Sequence, residues 1–167
     1  QNQTYIKGNA ISVLLAIPNL GIETSIGEKT TFQVDLLASF WNSINGLPYK
    51  FVTVIPEIRY HFNEKFDGIY VGAHFGGSVY KVSKGIHAKR DEYQEGFGYL
   101  MGATIGYQKK INNKLVLDFF LGGGLHQGFY KGYNIKTGER YEGAKNYNKS
   151  GEWLPYRGGV MVCYKLN

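Results

Sequence analysis

The sequence predicts an all-β fold, an eight-stranded antiparallel up-and-down transmembrane β-barrel, and three observations carry that expectation. Polar and apolar residues alternate along most of the chain, the period of a half-buried strand. Short polar turns alternate with long polar connections, as in barrels with tight turns at one end and long loops at the other. Lysine gathers in turns, loops and strand ends, with Lys29, Lys65, Lys84, Lys89, Lys110, Lys114, Lys131, Lys136, Lys145 and Lys149 among them. A water-facing strand would carry lysine at its centre.

Composition sets the frame. A chain of 167 residues suits one domain, and no charged or Pro/Ser-rich stretch divides residues 1–167. With 14 Tyr, 10 Phe and 23 Gly, it has the aromatic and turn content of a β protein. The mean hydropathy of -0.28 is that of a chain whose faces average out, and no run approaches the roughly 18 apolar residues of a spanning helix. The single cysteine, Cys163, excludes an internal disulfide and reads as a small strand side chain. A start at Gln1 rather than Met fits a mature chain after removal of an export signal.

Taken in order, the elements follow from their punctuation. Gly27-Glu28-Lys29, Asn63-Glu64-Lys65 and Asn112-Asn113-Lys114 read as tight hairpin turns, and 42–49, 82–93 and 132–152 as long loops. The remaining turn falls at 16–19, where Pro18 cannot donate to a ladder. Strands are therefore expected at 5–15, 19–27, 30–41, 50–62, 66–81, 94–109, 115–130 and 153–166. Most exceed the roughly five or six residues usual in soluble proteins.

The third strand sets Phe32, Val34, Leu36, Ala38 and Phe40 against Gln33, Asp35, Leu37, Ser39 and Trp41. The fourth opposes Val52, Val54, Ile58, Tyr60 and Phe62 to Glu57, Arg59 and His61. The fifth to seventh repeat the division, with glycine filling much of the polar face; the eighth places Tyr156, Val160, Val162 and Tyr164 against Arg157, Gly159 and Cys163. A glycine-rich, mixed-charge face suits a narrow lumen, so the apolar face is expected to point outward.

Two segments, Pro18-Asn19-Leu20-Gly21-Ile22-Glu23 and Pro56-Glu57-Ile58-Arg59-Tyr60, are followed by Glu64-Lys65-Phe66-Asp67-Gly68 and Val71-Gly72. In these the chain resembles the small outer-membrane barrel family of Bacteroidetes catalogued as a domain of unknown function, and more distantly the OmpA/OmpX-type barrels. The resemblance spans nearly the whole chain. It implies the barrel fold and a bacterial outer-membrane location after cleavage of a signal peptide, and it brings no catalytic residues. The terminal Tyr164-Lys165-Leu166-Asn167 lacks the closing aromatic such barrels use in assembly.

Inside the barrel, Glu23, Asp35, Glu57 and Arg59 are expected at similar heights, with Asp118 and Arg157 reaching across to form a structural charge network. Trp41, Tyr70, Tyr80, Phe120 and Tyr130 are expected to fill the end nearer the loops. His74 and His126 are candidate lumen histidines. No triad spacing, phosphate loop or Cys/His metal pattern is present, so no catalytic residue, metal or cofactor is expected. The net charge of +6 is dispersed rather than striped, which argues against nucleic acid. Basic loop residues Lys84, Lys89, Arg90, Lys136, Arg140 and Lys145 are the candidates for lipopolysaccharide, lipid phosphate or protein contact. The resulting expectation is a non-enzymatic outer-membrane barrel, an accessory subunit of a larger complex. A narrow solute conduit and a membrane enzyme acting on lipid or peptide are the alternatives.

Overall fold

The computed structural model describes residues 3–43, 45–83, 91–141 and 148–167. Its strands are β1 (Thr4–Asn9), β2 (Asn19–Ser25), β3 (Thr30–Ser39), β4 (Tyr49–His61), β5 (Gly68–Val82), β6 (Glu92–Lys110), β7 (Leu115–Asn134) and β8 (Asn148–Lys165). One helical turn, α1 (Ala10–Leu14), follows β1. Each strand pairs antiparallel with the next, and β1 pairs with β8 from Tyr5↔Lys165 to Asn9↔Met161, so the sheet is a closed barrel.

Local chemistry closes the tight-turn end. The Asn112 side chain accepts from the backbone N–H groups of Lys114 and Leu115, at 2.9 Å each, which folds the β6–β7 turn. Phe66 and Gly68 adopt positive φ of 64° and 86° to close the β4–β5 turn. The start of β1 and Asn167 meet at this end, where the Thr4 N–H donates to Asn167 Oδ1.

The first strand departs from its expected span of 5–15 and ends at Asn9. The Asn9 side chain accepts from the Ile11 N–H at 3.1 Å and starts α1. The following residues, Ala10-Ile11-Ser12-Val13-Leu14-Leu15-Ala16-Ile17, hold no period-two alternation to keep them in a ladder. The later strands run past their expected ends instead, with β7 reaching Asn134 and β8 beginning at Asn148. The wall is therefore low on the β1–β2 side and high on the β6–β8 side.

Burial sorts the two faces. Glu23, Arg59 and Asp118 are 0% exposed, whereas Ile58 at 54%, Ile105 at 58% and Leu121 at 61% stand outward. Charge inside and apolar side chains outside is the reverse of a water-soluble barrel. Apolar surface of this kind costs about 25 cal/mol per Å² for every part left in water, so an exposed wall of this extent marks a surface for association. Among the described residues no helix is long and apolar enough to cross a membrane; strands are a separate matter.

The folded chain is expected to be recovered with detergent micelles or phospholipid vesicles and to aggregate when they are withdrawn. Ile105→Lys should cost about 2–4 kcal/mol in lipid, as for a charge on a lipid-facing strand. Urea unfolding in vesicles measures this, and a monomer that stays folded in plain buffer would refute the assigned role of the wall.

Candidate functional site

The interior divides into a charged plug toward the tight turns and an apolar cup toward the loops. Lys7 of β1 is the plug's hub. Its Nζ donates to Glu23 Oε2 at 2.7 Å, Asp118 Oδ2 at 2.6 Å and Gln33 Oε1 at 2.6 Å. Arg59 of β4 reaches Asp118 at 2.7 Å, Glu57 at 3.1 Å and Glu23 at 3.2 Å, and its guanidinium lies 4.4 Å from the Tyr70 ring centre. Arg157 of β8 crosses to Asp35 at 2.6 Å and Glu57 at 2.9 Å. All six residues expected in the charge network are thus brought together.

Sequence reading missed the seventh member. Four carboxylates (Glu23, Asp35, Glu57, Asp118) against two guanidiniums (Arg59, Arg157) left a deficit of two charges, which was itself a signal for another cation. Lys7 supplies it, 2% exposed and in phase with inward-facing Tyr5 and Asn9, and so breaks the expected exclusion of lysine from strand interiors. Neutral donors meet part of the remaining excess of acceptors. Thr31 donates to Glu23 at 2.6 Å, Tyr70 to Asp118 at 2.8 Å, Gln33 to Asp35 at 2.7 Å and Gln108 to Glu23 at 3.0 Å. Below them Tyr5, Phe66, Val116 and Cys163 form a buried apolar base.

Glycine makes room for the carboxylates. A Cβ on Gly72 would stand 2.1 Å from Glu57 Oε1 and 2.9 Å from its Cδ, and one on Gly21 would stand 2.4 Å from Asp35 Oδ1. Neither carboxylate is free to move, because Arg157 holds both.

The expected alternation in β8 fails at one place. Between Gly122↔Arg157 and Gly124↔Leu154, two β8 residues face the single Gly123, a bulge containing Pro155, which has no N–H to lose. The extra residue turns Tyr156 inward beside Arg157, contrary to its expected outward position. Tyr156 and Thr104 then occupy the two ring nitrogens of His74, at 2.6 Å and 3.1 Å. The two candidate histidines do not pair: neither His74 ring bond goes to His126, whose ring lies 6.4 Å from that of Tyr80. Among the described residues no cluster of three His, Cys, Asp or Glu side chains is arranged for a metal ion.

Above Arg157 and Tyr156 the lumen opens into a cavity of about 460 Å³ lined by Leu37, Phe51, Ile55, Tyr80, Leu100 and Leu154, among others. The expected aromatic filling of the loop end is therefore corrected. Tyr70 is 0% exposed and belongs to the plug, Trp41 is 40% exposed, and Tyr80 and Phe120 line the cup without filling it. The lining is mixed: Asn9, Asn19, Thr53, Gln94 and His126 also border it, and Ser78 Oγ and Asp35 Oδ1 are buried without a hydrogen-bond partner. The plug spans the lumen beneath the cup, which argues against the alternative reading as a narrow solute conduit.

Of the basic loop candidates, Lys84, Lys89, Arg90 and Lys145 lie outside the described residues. Lys136 is exposed and paired with Asp91 at 2.5 Å, a hydrogen bond that holds its ammonium above the ordinary lysine range. Arg140 bridges Tyr133 across the β7 end.

A family model described as "Protein of unknown function (DUF3575)" matches residues 1–166. No curated protein and no solved structure matches the chain. That description corrects the resemblance drawn from Pro18–Glu23 and Pro56–Tyr60: it carries no Bacteroidetes lineage and no kinship with OmpA/OmpX-type barrels. Nor does it supply an outer-membrane address, a cleaved signal or an accessory-subunit role.

Removing Lys7 should expose the charge balance. Lys7→Met is expected to cost about 3–5 kcal/mol, the usual loss when one member of a buried ion pair is deleted. Adding Asp118→Asn, which restores the original difference between carboxylates and cations, should recover part of it; a urea-unfolding double-mutant cycle measures both. Gly72→Ala should destabilise by about 1–3 kcal/mol through overpacking. Gly77→Ala, whose Cβ would meet nothing nearer than Gly98 O at 3.9 Å, should be neutral in the same assay.

Proposed function

The chain belongs to the DUF3575 family of proteins of unknown function, and from its geometry we propose a non-catalytic binding protein that holds a small, largely apolar molecule in a one-ended cup. The observation that carries this reading is the cavity of about 460 Å³ standing on a sealed floor. Its size falls within the roughly 300–1,000 Å³ of small-molecule sites, and apolar side chains such as Leu37, Phe51, Ile55 and Leu100 supply much of its lining.

The floor groups are tied to one another, His74 to Tyr156 and Arg157 to Asp35 and Glu57. A ligand with a strong charge would have to break those pairs, whereas an apolar one leaves them intact. His74 is read as a floor group, its two ring nitrogens engaged by Tyr156 and Thr104. Lipid is the partner proposed for the outward wall, on the strength of its apolar side chains alone. Nucleic acid is not proposed as a partner.

Titration of the detergent-solubilised protein with 2-naphthol, followed by methyl NMR, tests the cup. Saturable shifts are expected at Leu37, Ile55 and Leu100, which line it, with only weak linear changes at outward Ile58 and Leu121. Thr53→Trp, placed on the cup lining, should abolish the saturable shifts. Equal, non-saturating shifts at inner and outer methyls would reject a binding cup.

A further inference from the structure

The wall beside the cup is incomplete. β1 stops at Asn9 opposite Met161, while β8 continues from there to Asn148 paired with β7 alone. On the other side of the gap, β2 begins at Asn19 opposite Leu37, and above it only residues 15–18 lead up, with Pro18 O accepting from the Ala38 N–H. Two strands of the ring are thus missing over the upper half of the barrel. The short α1 stands in their place.

α1 is a loose closure. Asn9 tethers its start to β8 through a 3.2 Å bond from Nδ2 to Gly158 O. Apart from Ser12, whose Oγ donates to Asn9 O, the helix and its C-cap are apolar, and Val13, Leu14 and Leu15 are 61%, 85% and 66% exposed. Several side chains belong to the cup and the outer surface at once: Ile11, Leu15 and Leu154 line the cavity and remain 46%, 66% and 39% exposed. The cup therefore reaches the outer face between α1 and β8.

The height of this gap matters. Arg157 pairs with Gly122 and Trp153 with Leu125, so the free β8 edge runs level with Leu121 of β7 and Met101 of β6, outward residues 61% and 53% exposed. The gap opens into the apolar belt, not into a polar rim. A molecule arriving there comes from the same apolar surroundings that cover the wall.

We propose that the gap between α1 and β8 is a side entrance through which the alkyl chain of a single-chain amphiphile passes from the belt into the cup. This rests on the cup being a binding site and adds the class of its occupant and its route. An alkyl chain needs no polar partner in the cavity, can thread past Leu15 and Leu154, and leaves its headgroup outside, where the floor's ion pairs are not disturbed.

Tryptophan quenching in micelles of dodecyl maltoside with a dibrominated chain tests the route. With Trp41 and Trp153 replaced by phenylalanine, a single tryptophan is introduced at Ile55→Trp, inside the cup, or Ile58→Trp, on the outer wall. Both are expected to be quenched to a similar degree. Leu15→Arg, which puts a charge in the gap, should remove quenching at the cup position and leave the outer one unchanged. Quenching at the outer position alone, at neither position, or at the cup unaffected by Leu15→Arg would each overturn the side entrance. Naphthol shifts that persist in those cases would leave the cup standing, and their loss would remove the cup as well.

Discussion

Charge in a lumen too narrow for free water has to be neutralised by other side chains, and the rest of this barrel is arranged around that constraint. Lys7, Arg59 and Arg157 contribute three cations, and Glu23, Asp35, Glu57 and Asp118 four carboxylates, drawn from β1, β2, β3, β4, β7 and β8. A slip of one residue in any of these strands would turn its charged member to the outer face and strand its partners inside. The network therefore fixes register across most of the ring, a task that a purely apolar lumen would perform less strictly. Glycine is the corollary: Gly21 and Gly72 stay small because the carboxylates leaning on them are already held by Arg157.

From a charged interior the apolar exterior follows, since strand side chains alternate and one face has to take what the other excludes. The plug occupies only the part of the lumen nearer the tight turns. Above it the inward residues of the longer strands are mixed, with Phe51, Ile55 and Leu100 beside Thr53, Ser78, Gln94 and His126, and their ring is wider than their side chains, which leaves the cup. The bulge at Pro155 joins the two regions. By adding one residue to β8 it directs both Tyr156 and Arg157 inward, so that one strand supplies a cation to the plug and a hydroxyl to His74 at the cup floor.

What the sequence disclosed depended on whether it was written in the period of a strand. Glu23, Asp35, Glu57, Arg59 and Asp118 lie in well-alternating segments, and their shared face could be read directly. Lys7 was hidden because β1 is six residues long and runs into an apolar stretch that obscures its phase. Tyr156 could not be placed because a bulge shifts phase without changing composition. The cup was invisible for a different reason: aromatic residues count as filling until their positions are known, and Tyr70, at the plug rather than the loop end, left space that its bulk had been expected to occupy.

The short β1 links the plug to the gap in the wall. Lys7 has to lie deep among Glu23, Gln33 and Asp118, which ties β1 to its neighbours near the tight-turn end, and Asn9 two residues later already caps α1. A longer β1 would complete the wall beside β8 but would need the alternation that Ala10 to Ile17 lacks. Those residues instead form an apolar turn whose exposed side chains would be costly over water and are stable against an apolar belt. The same segment that ends the ladder thus supplies the lining of the opening it creates, with Ile11 and Leu15 facing both the cup and the outside.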